Sequence, residues 1–101
     1  MIENRQAARH DVDLACTLTV GGKDVPTQIK NLSVGGALVV HGRLPAAERV
    51  KLVFRVPTLE TPIEVAATVR WCGGDSVGVQ FDGLRAREVW SLNKYFESLS
   101  P

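Results

Sequence analysis

The sequence predicts an all-β fold, an antiparallel barrel or sandwich of about six strands followed by one C-terminal α-helix. Apolar residues recur at every second position over much of the chain up to Phe81, which is the period of half-buried strands. The runs are short and are separated by turn residues with no helical pattern between them, which indicates antiparallel hairpins. After Gly83 the apolar spacing changes to three and four, the spacing of an amphipathic helix.

The first two strands form a predicted hairpin. In the first strand the apolar positions alternate with polar ones at Val12, Leu14, Cys16, Leu18 and Val20. Gly21 and Gly22 supply the turn. The second strand follows at residues 25–32, with Pro26 near its start, where a missing N–H is tolerated.

Four further strands complete the predicted sheet. They lie at residues 37–41, 50–56, 63–71 and 77–81, and a glycine-containing turn at 73–76 joins the last two. Because Phe54, Trp71 and Phe81 share the phase of neighbouring Val, Leu and Ile residues, we expect all three in the core. An outward aromatic platform that stacks nucleic-acid bases is therefore not predicted.

The C-terminal helix is predicted over residues 84–99. Its apolar stripe consists of Val89, Leu92, Phe96 and Leu99. At about 100° per residue, Tyr95 borders this stripe and Trp90 lies well away from its centre. Two alternatives stay open for Trp90: it packs under a loop of its own domain, or it is exposed for a partner.

The composition is that of one ordinary soluble domain, with 45% hydrophobic and 23% charged residues and a net charge of +1. Nucleic-acid binding depends on positive charge, so neither DNA nor RNA is an expected partner. No apolar run approaches the length of a membrane span, and the N-terminus lacks the apolar segment of a secretory signal. We therefore expect a cytoplasmic protein without membrane insertion.

Residues suited to catalysis or metal binding are sparse. His10 and His41, the two histidines, suggest no catalytic triad, and with Cys16 and Cys72 they form no short pairs of the kind that zinc sites use. We expect no enzyme activity, no metal and no cofactor. The two cysteines are out of phase with each other, so they are expected to face opposite sides of the sheet as free thiols.

Two segments remain after these exclusions. Arg5 and Arg9 lie four residues apart in a polar arm before the first strand, a pattern that also fits an ordinary solvated terminus. The second segment, from Asn31 through Ser33 to Gly35 and Gly36, also fits a simple turn whose glycines adopt positive φ.

Taken together, the two segments resemble the PilZ domain family, cytosolic bacterial receptors for cyclic di-GMP. The family carries an RxxxR arm before its first strand and a [D/N]xSxxG stretch after its second, matched here by Arg5, Arg9, Asn31, Ser33 and Gly36. The strands at 69–71 and 77–81 also look like that family. The resemblance implies a single domain over residues 1–101, with a flexible arm at 1–10, an antiparallel six-stranded β-barrel at 11–82 and a capping helix at 84–99.

The resemblance also implies that cyclic di-GMP is the ligand and that Arg5, Arg9, Asn31, Ser33, Gly35 and Gly36 bind it. A guanidinium matches the O6 and N7 acceptors of guanine and also pairs with phosphate. Asn31 and Ser33 offer hydrogen bonds to base or ribose, and glycines permit close approach of a flat base. Binding is expected to order the arm and so to signal to a protein partner in motility or biofilm regulation.

Two rival functions use the same fold. One is a PilZ-like interaction module of a pilus or motility apparatus that has lost ligand binding, although such members usually lack the arginine arm. The other is a small RNA-binding barrel, which the near-neutral charge and the inward phase of the aromatic residues disfavour.

Overall fold

A computed structural model describes residues 9–99 of the chain. Its six strands are antiparallel and close into a barrel in the order β1-β2-β3-β6-β5-β4, followed by one helix. The elements are β1 (His10–Val20), β2 (Lys23–Leu32), β3 (Gly36–Val40), β4 (Arg49–Phe54), β5 (Ile63–Gly73), β6 (Ser76–Phe81) and α1 (Ala86–Leu99). The predicted fold class is confirmed, and the closed arrangement decides between barrel and sandwich.

The barrel interior is filled by the alternating apolar residues. Leu18, Ile29, Leu52 and Ile63 have no exposed surface, and each such side chain contributes roughly 1.5–3 kcal/mol through burial. Leu92, Tyr95 and Phe96 of α1 belong to the same buried cluster. The helix is therefore part of the core and not an appendage to it.

The helix confirms part of the predicted stripe. Leu92 and Phe96 are buried as predicted, but Tyr95 is buried too, and Leu99 is 42% exposed. The buried residues Ser91, Leu92, Tyr95 and Phe96 shift the contact face toward Tyr95, and Leu99 lies at the last residue of the helix, beyond the last buried turn. Trp90 is 60% exposed, which settles the open alternative in favour of exposure.

The prediction that Trp71 lies in the core is wrong, because the residue is 55% exposed. Val69 pairs with Val79 and Trp71 pairs with Gly78, which leaves Arg70 as an extra residue on β5. One extra residue reverses the inward and outward alternation beyond it, so a β-bulge turns Trp71 outward. Phe54 in β4 and Phe81 in β6 lie in strands that carry no such extra residue, and both are buried as predicted, with ring centroids 6.4 Å apart.

The same bulge overturns the argument about the cysteines. Beyond it, Cys72 turns toward the interior and packs against the core cluster that contains Cys16. Its thiol donates a hydrogen bond to the backbone oxygen of Leu44 at 3.0 Å. Both cysteines are free thiols, but not because they face opposite sides of the sheet.

The first strand begins one residue earlier than the predicted barrel boundary, at His10. The His10 ring stacks on Phe96 with centroids 4.2 Å apart and an interplanar angle of 16°. The end of the predicted arm is thus attached to α1. The rest of that arm, including Arg5, lies outside the described residues. No helix within residues 9–99 is both long and apolar enough to cross a bilayer.

Candidate functional site

The turn between β2 and β3 is organised by Ser33. Its buried hydroxyl oxygen accepts hydrogen bonds from the backbone N–H groups of Gly35 and Gly36, at 3.1 and 3.2 Å. The backbone N–H of Ser33 donates in turn to the oxygen of Gly36 at 2.9 Å. Because one hydroxyl satisfies two backbone donors, Ser33 fixes the shape of the turn before any ligand is considered.

The two glycines of this turn have different requirements. The alternative of a simple turn with positive-φ glycines applies to neither, because the positive-φ glycines among residues 9–99 are Gly21, Gly22, Gly74 and Gly83. A Cβ atom added to Gly36 would lie 2.2 Å from the backbone oxygen of Val79, whereas one added to Gly35 would meet nothing closer than the Ser33 hydroxyl at 3.8 Å. Close strand approach, and not backbone conformation, therefore requires glycine at position 36.

Asn31 connects the turn to the end of the predicted arm. Its amide nitrogen donates to Asp11 Oδ1 at 3.0 Å, and its Oδ1 faces Arg9 Nη1 at 3.5 Å. Asp11 and Asn31 are paired residues of β1 and β2. The carboxylate thereby orients the amide so that its oxygen is presented to the Arg9 guanidinium.

An open groove of about 740 Å³ runs beside the turn on the outer surface of the barrel. It brings together four of the predicted site residues with six that sequence reasoning did not assign to it. It is lined by Arg9, Ser33, Gly35, Gly36, Leu38, Arg70, Trp71, Gly78, Val79 and Gln80. Asn31 is not one of the lining residues, but its side chain contacts Arg9, which is.

Trp71 is the most informative of the residues that were missed. The atoms nearest to a Cβ built on Gly73 are indole carbons at 2.8 and 2.9 Å, and a Cβ on Gly78 would meet other atoms of the same side chain at 3.5 Å. Two glycines thus let the indole lie close to the backbone of the sheet. A glycine inside a strand often marks a bulge or a close approach, so Gly78 was the sequence signal that could have revealed the outward Trp71.

The two arginines that line the groove have uncharged hydrogen-bond partners. Arg9 faces the amide of Asn31, and Arg70 Nε donates to Gln80 Oε1 at 2.8 Å. Neutral acceptors position a guanidinium without cancelling its charge, so both cations remain suited to an anionic, hydrogen-bonding ligand. Residues 9–99 hold no group of three or more His, Cys, Asp or Glu residues that could bind a metal ion.

Comparisons with known proteins agree with this architecture. A family model described as the PilZ domain matches residues 3–98. The inhibitor of motility MotI/DgrA of Bacillus subtilis has a similar structure, with a TM-score of 0.81 and 26% identity over 93% of this chain and 50% of that one. A search of functionally curated proteins gives no significant match.

Two other solved structures share the fold. The PlzA protein of Borreliella burgdorferi, in complex with c-di-GMP, has a TM-score of 0.72 and 20% identity over 92% of this chain and 41% of that one. The PilZ domain of YcgR from Escherichia coli, with c-di-GMP, has a TM-score of 0.71 and 10% identity over 96% of this chain and 95% of that one. The chain thus spans half or less of MotI/DgrA and PlzA but nearly all of the YcgR domain.

Proposed function

The chain belongs to the PilZ domain family, and on that premise we propose that it is a receptor for cyclic di-GMP. The observation that carries the proposal is the groove, in which Arg9 and the Ser33–Gly36 turn lie beside the exposed indole of Trp71. Cyclic di-GMP offers two phosphates, two flat bases and two guanine edges. The groove offers arginines for the phosphates and guanine edges, and glycine backbone and an aromatic face for the flat bases.

The proposed roles follow from the local geometry. Arg9 contacts a guanine edge or a phosphate, and Asn31 keeps its guanidinium in place. Arg5 acts with Arg9 from the part of the arm outside the described residues. Ser33 shapes the turn and borders the ligand, and Gly35, which is exposed, lets a base approach its backbone.

The test is calorimetric titration of the full chain with cyclic di-GMP, with GTP as the competing guanine nucleotide. We expect saturable binding, and we expect Arg9→Ala and Arg5→Ala each to weaken it by about tenfold or more, since hydrogen bonds to charged groups contribute about 1.5–3 kcal/mol. Arg87→Ala on α1 removes the same charge from an exposed residue outside the groove and should leave affinity unchanged. Wild-type protein that fails to bind would favour the ligand-free interaction module.

We further propose that the bound ligand orders the arm and that a protein partner detects this order in the bacterial cytoplasm. The stack of His10 on Phe96 supports this step, because it joins the residue after Arg9 to α1. On the same helix Trp90 is exposed, with Lys94 Nζ 5.5 Å from its ring centroid, as a contact residue would be.

Amide hydrogen exchange with and without cyclic di-GMP tests the ordering step. We expect new protection at residues 5–11 and a smaller change in α1, and we expect His10→Ala to abolish the change in α1 while leaving ligand affinity nearly intact. Equal protection of the arm in both states would contradict a ligand-driven switch even if binding itself were established.

A further inference from the structure

The bulge in β5 places two consecutive side chains in the groove. In a regular strand, neighbours point to opposite faces, so Arg70 and Trp71 would be separated by the sheet. Because Arg70 is the extra residue between the Val69–Val79 and Trp71–Gly78 pairs, both side chains are exposed on the outer face and both line the groove. The chain thereby presents a guanidinium and an indole side by side.

The indole is held as a platform. Its ring carbons approach the backbone of Gly73, and its Cβ and Cε3 lie over Gly78, so the residues beneath it have no side chain to lift it from the sheet. One side of the ring lies close to the backbone, and more than half of the surface of Trp71 is exposed, so the ring offers a face on which a base can stack.

The guanidinium is held by its inner nitrogen. Arg70 Nε donates to Gln80 Oε1 at 2.8 Å, and Gln80 pairs across the sheet with Gly36 of the Ser33 turn. A guanidinium fixed through Nε directs its two terminal nitrogens away from the anchor as a planar fork. Such a fork matches the O6 and N7 acceptors on the Hoogsteen edge of guanine.

We propose that Arg70 reads the Hoogsteen edge of a guanine stacked on Trp71, which makes the bulge a guanine-selective subsite and Gln80 its positioning residue. The inference rests on the proposed function and adds to it a source of base selectivity outside the two sequence motifs. Adenine offers N7 but replaces O6 with an amino donor, which arginine, having donors only, cannot satisfy.

The experiment compares wild type, Arg70→Lys and Arg49→Lys, each titrated with three cyclic dinucleotides whose bases are guanine, hypoxanthine and adenine. Hypoxanthine keeps O6 and N7 but lacks the 2-amino group. Lysine keeps the charge of Arg70 and loses the fork, so we expect Arg70→Lys to weaken the guanine and hypoxanthine ligands by the same factor, about 10- to 100-fold, and the adenine ligand by less than about threefold. Arg49 is an exposed strand arginine that pairs with Asp82 outside the groove, and its variant should match wild type for all three ligands.

Gln80→Leu is the second variant, because it removes the acceptor and keeps Arg70. Like Arg70→Lys, it should weaken binding of the guanine and hypoxanthine ligands more than binding of the adenine ligand, but by a smaller factor. A purely structural effect would weaken binding of all three ligands equally. An Arg70→Lys protein with wild-type affinity for the guanine ligand, or with equal losses for guanine and adenine ligands, would overturn the inference and leave the receptor function standing. Wild-type protein that binds no cyclic di-GMP would instead refute the proposed function itself.

Discussion

A methyl group at Gly36 tests the reasoning about the site most directly, because the expected clash is with backbone. In the native barrel β3 and β6 are so close that the Cβ of Gly36→Ala would lie 2.2 Å from the backbone oxygen of Val79. Carbon and oxygen atoms in close contact are ordinarily about 3.3–3.6 Å apart. The strands must therefore separate locally by roughly 1 Å.

The loss of stability comes from overpacking and from a hydrogen bond that the separation of the strands breaks. The backbone N–H of Phe81 donates to the oxygen of Gly35 at 2.9 Å, and a displacement of that size would carry the pair beyond hydrogen-bond distance. Overpacking costs about 1–3 kcal/mol and the lost hydrogen bond about 1 kcal/mol, so we expect a loss of about 2–4 kcal/mol. In a domain of this length that lowers the melting temperature by about 8 °C or more.

Thermal and urea unfolding followed by circular dichroism measure the effect, and Gly35→Ala is the matched control. A Cβ at position 35 meets nothing closer than 3.8 Å, and the native φ there is not in the left-handed region. That variant should be neutral or slightly stabilising, because alanine has less backbone entropy to lose on folding. Similar melting temperatures for the two variants would refute the close-approach argument.

Three further predictions concern stability and thiol chemistry. Ser33→Ala should cost about 1–3 kcal/mol in urea unfolding, because it leaves the N–H groups of Gly35 and Gly36 without their acceptor. Burial raises the pKa of the Cys16 thiol from 9.0 to about 11. As the pH rises, the unfolded chain therefore loses that proton before the folded protein does. The free energy of unfolding falls between pH 9 and 11 by about 3 kcal/mol at most. Cys16→Ala should remove this contribution to the pH dependence of the free energy of unfolding. In the native protein at neutral pH, a thiol reagent should modify the half-buried Cys72 before the buried Cys16, and the reverse order would contradict the assigned strand phases.

Much of the barrel was predictable because apolar and polar residues alternate along its strands. Alternation in β1, β4 and β6 corresponds directly to burial, and the change of period after Gly83 located α1. The family resemblance of the two motifs also implied that Arg9 and the Ser33–Gly36 turn belong to one site, and both line the groove although they are more than twenty residues apart.

The remaining part of the site was not predictable from alternation, because it depends on departures from it. One extra residue at Arg70 changes Trp71 from a core residue to a groove residue, and no count of apolar positions detects an insertion relative to a partner strand. The register also shifts beside Asp11 and Asn31, the pair that holds Arg9. Bulges redirect side chains at the cost of regular pairing, and here each of these shifts lies next to a residue of the groove or its support. A strand glycine such as Gly78, opposite an apparently buried tryptophan, is therefore reason to place the tryptophan outside and to look for a ligand above it.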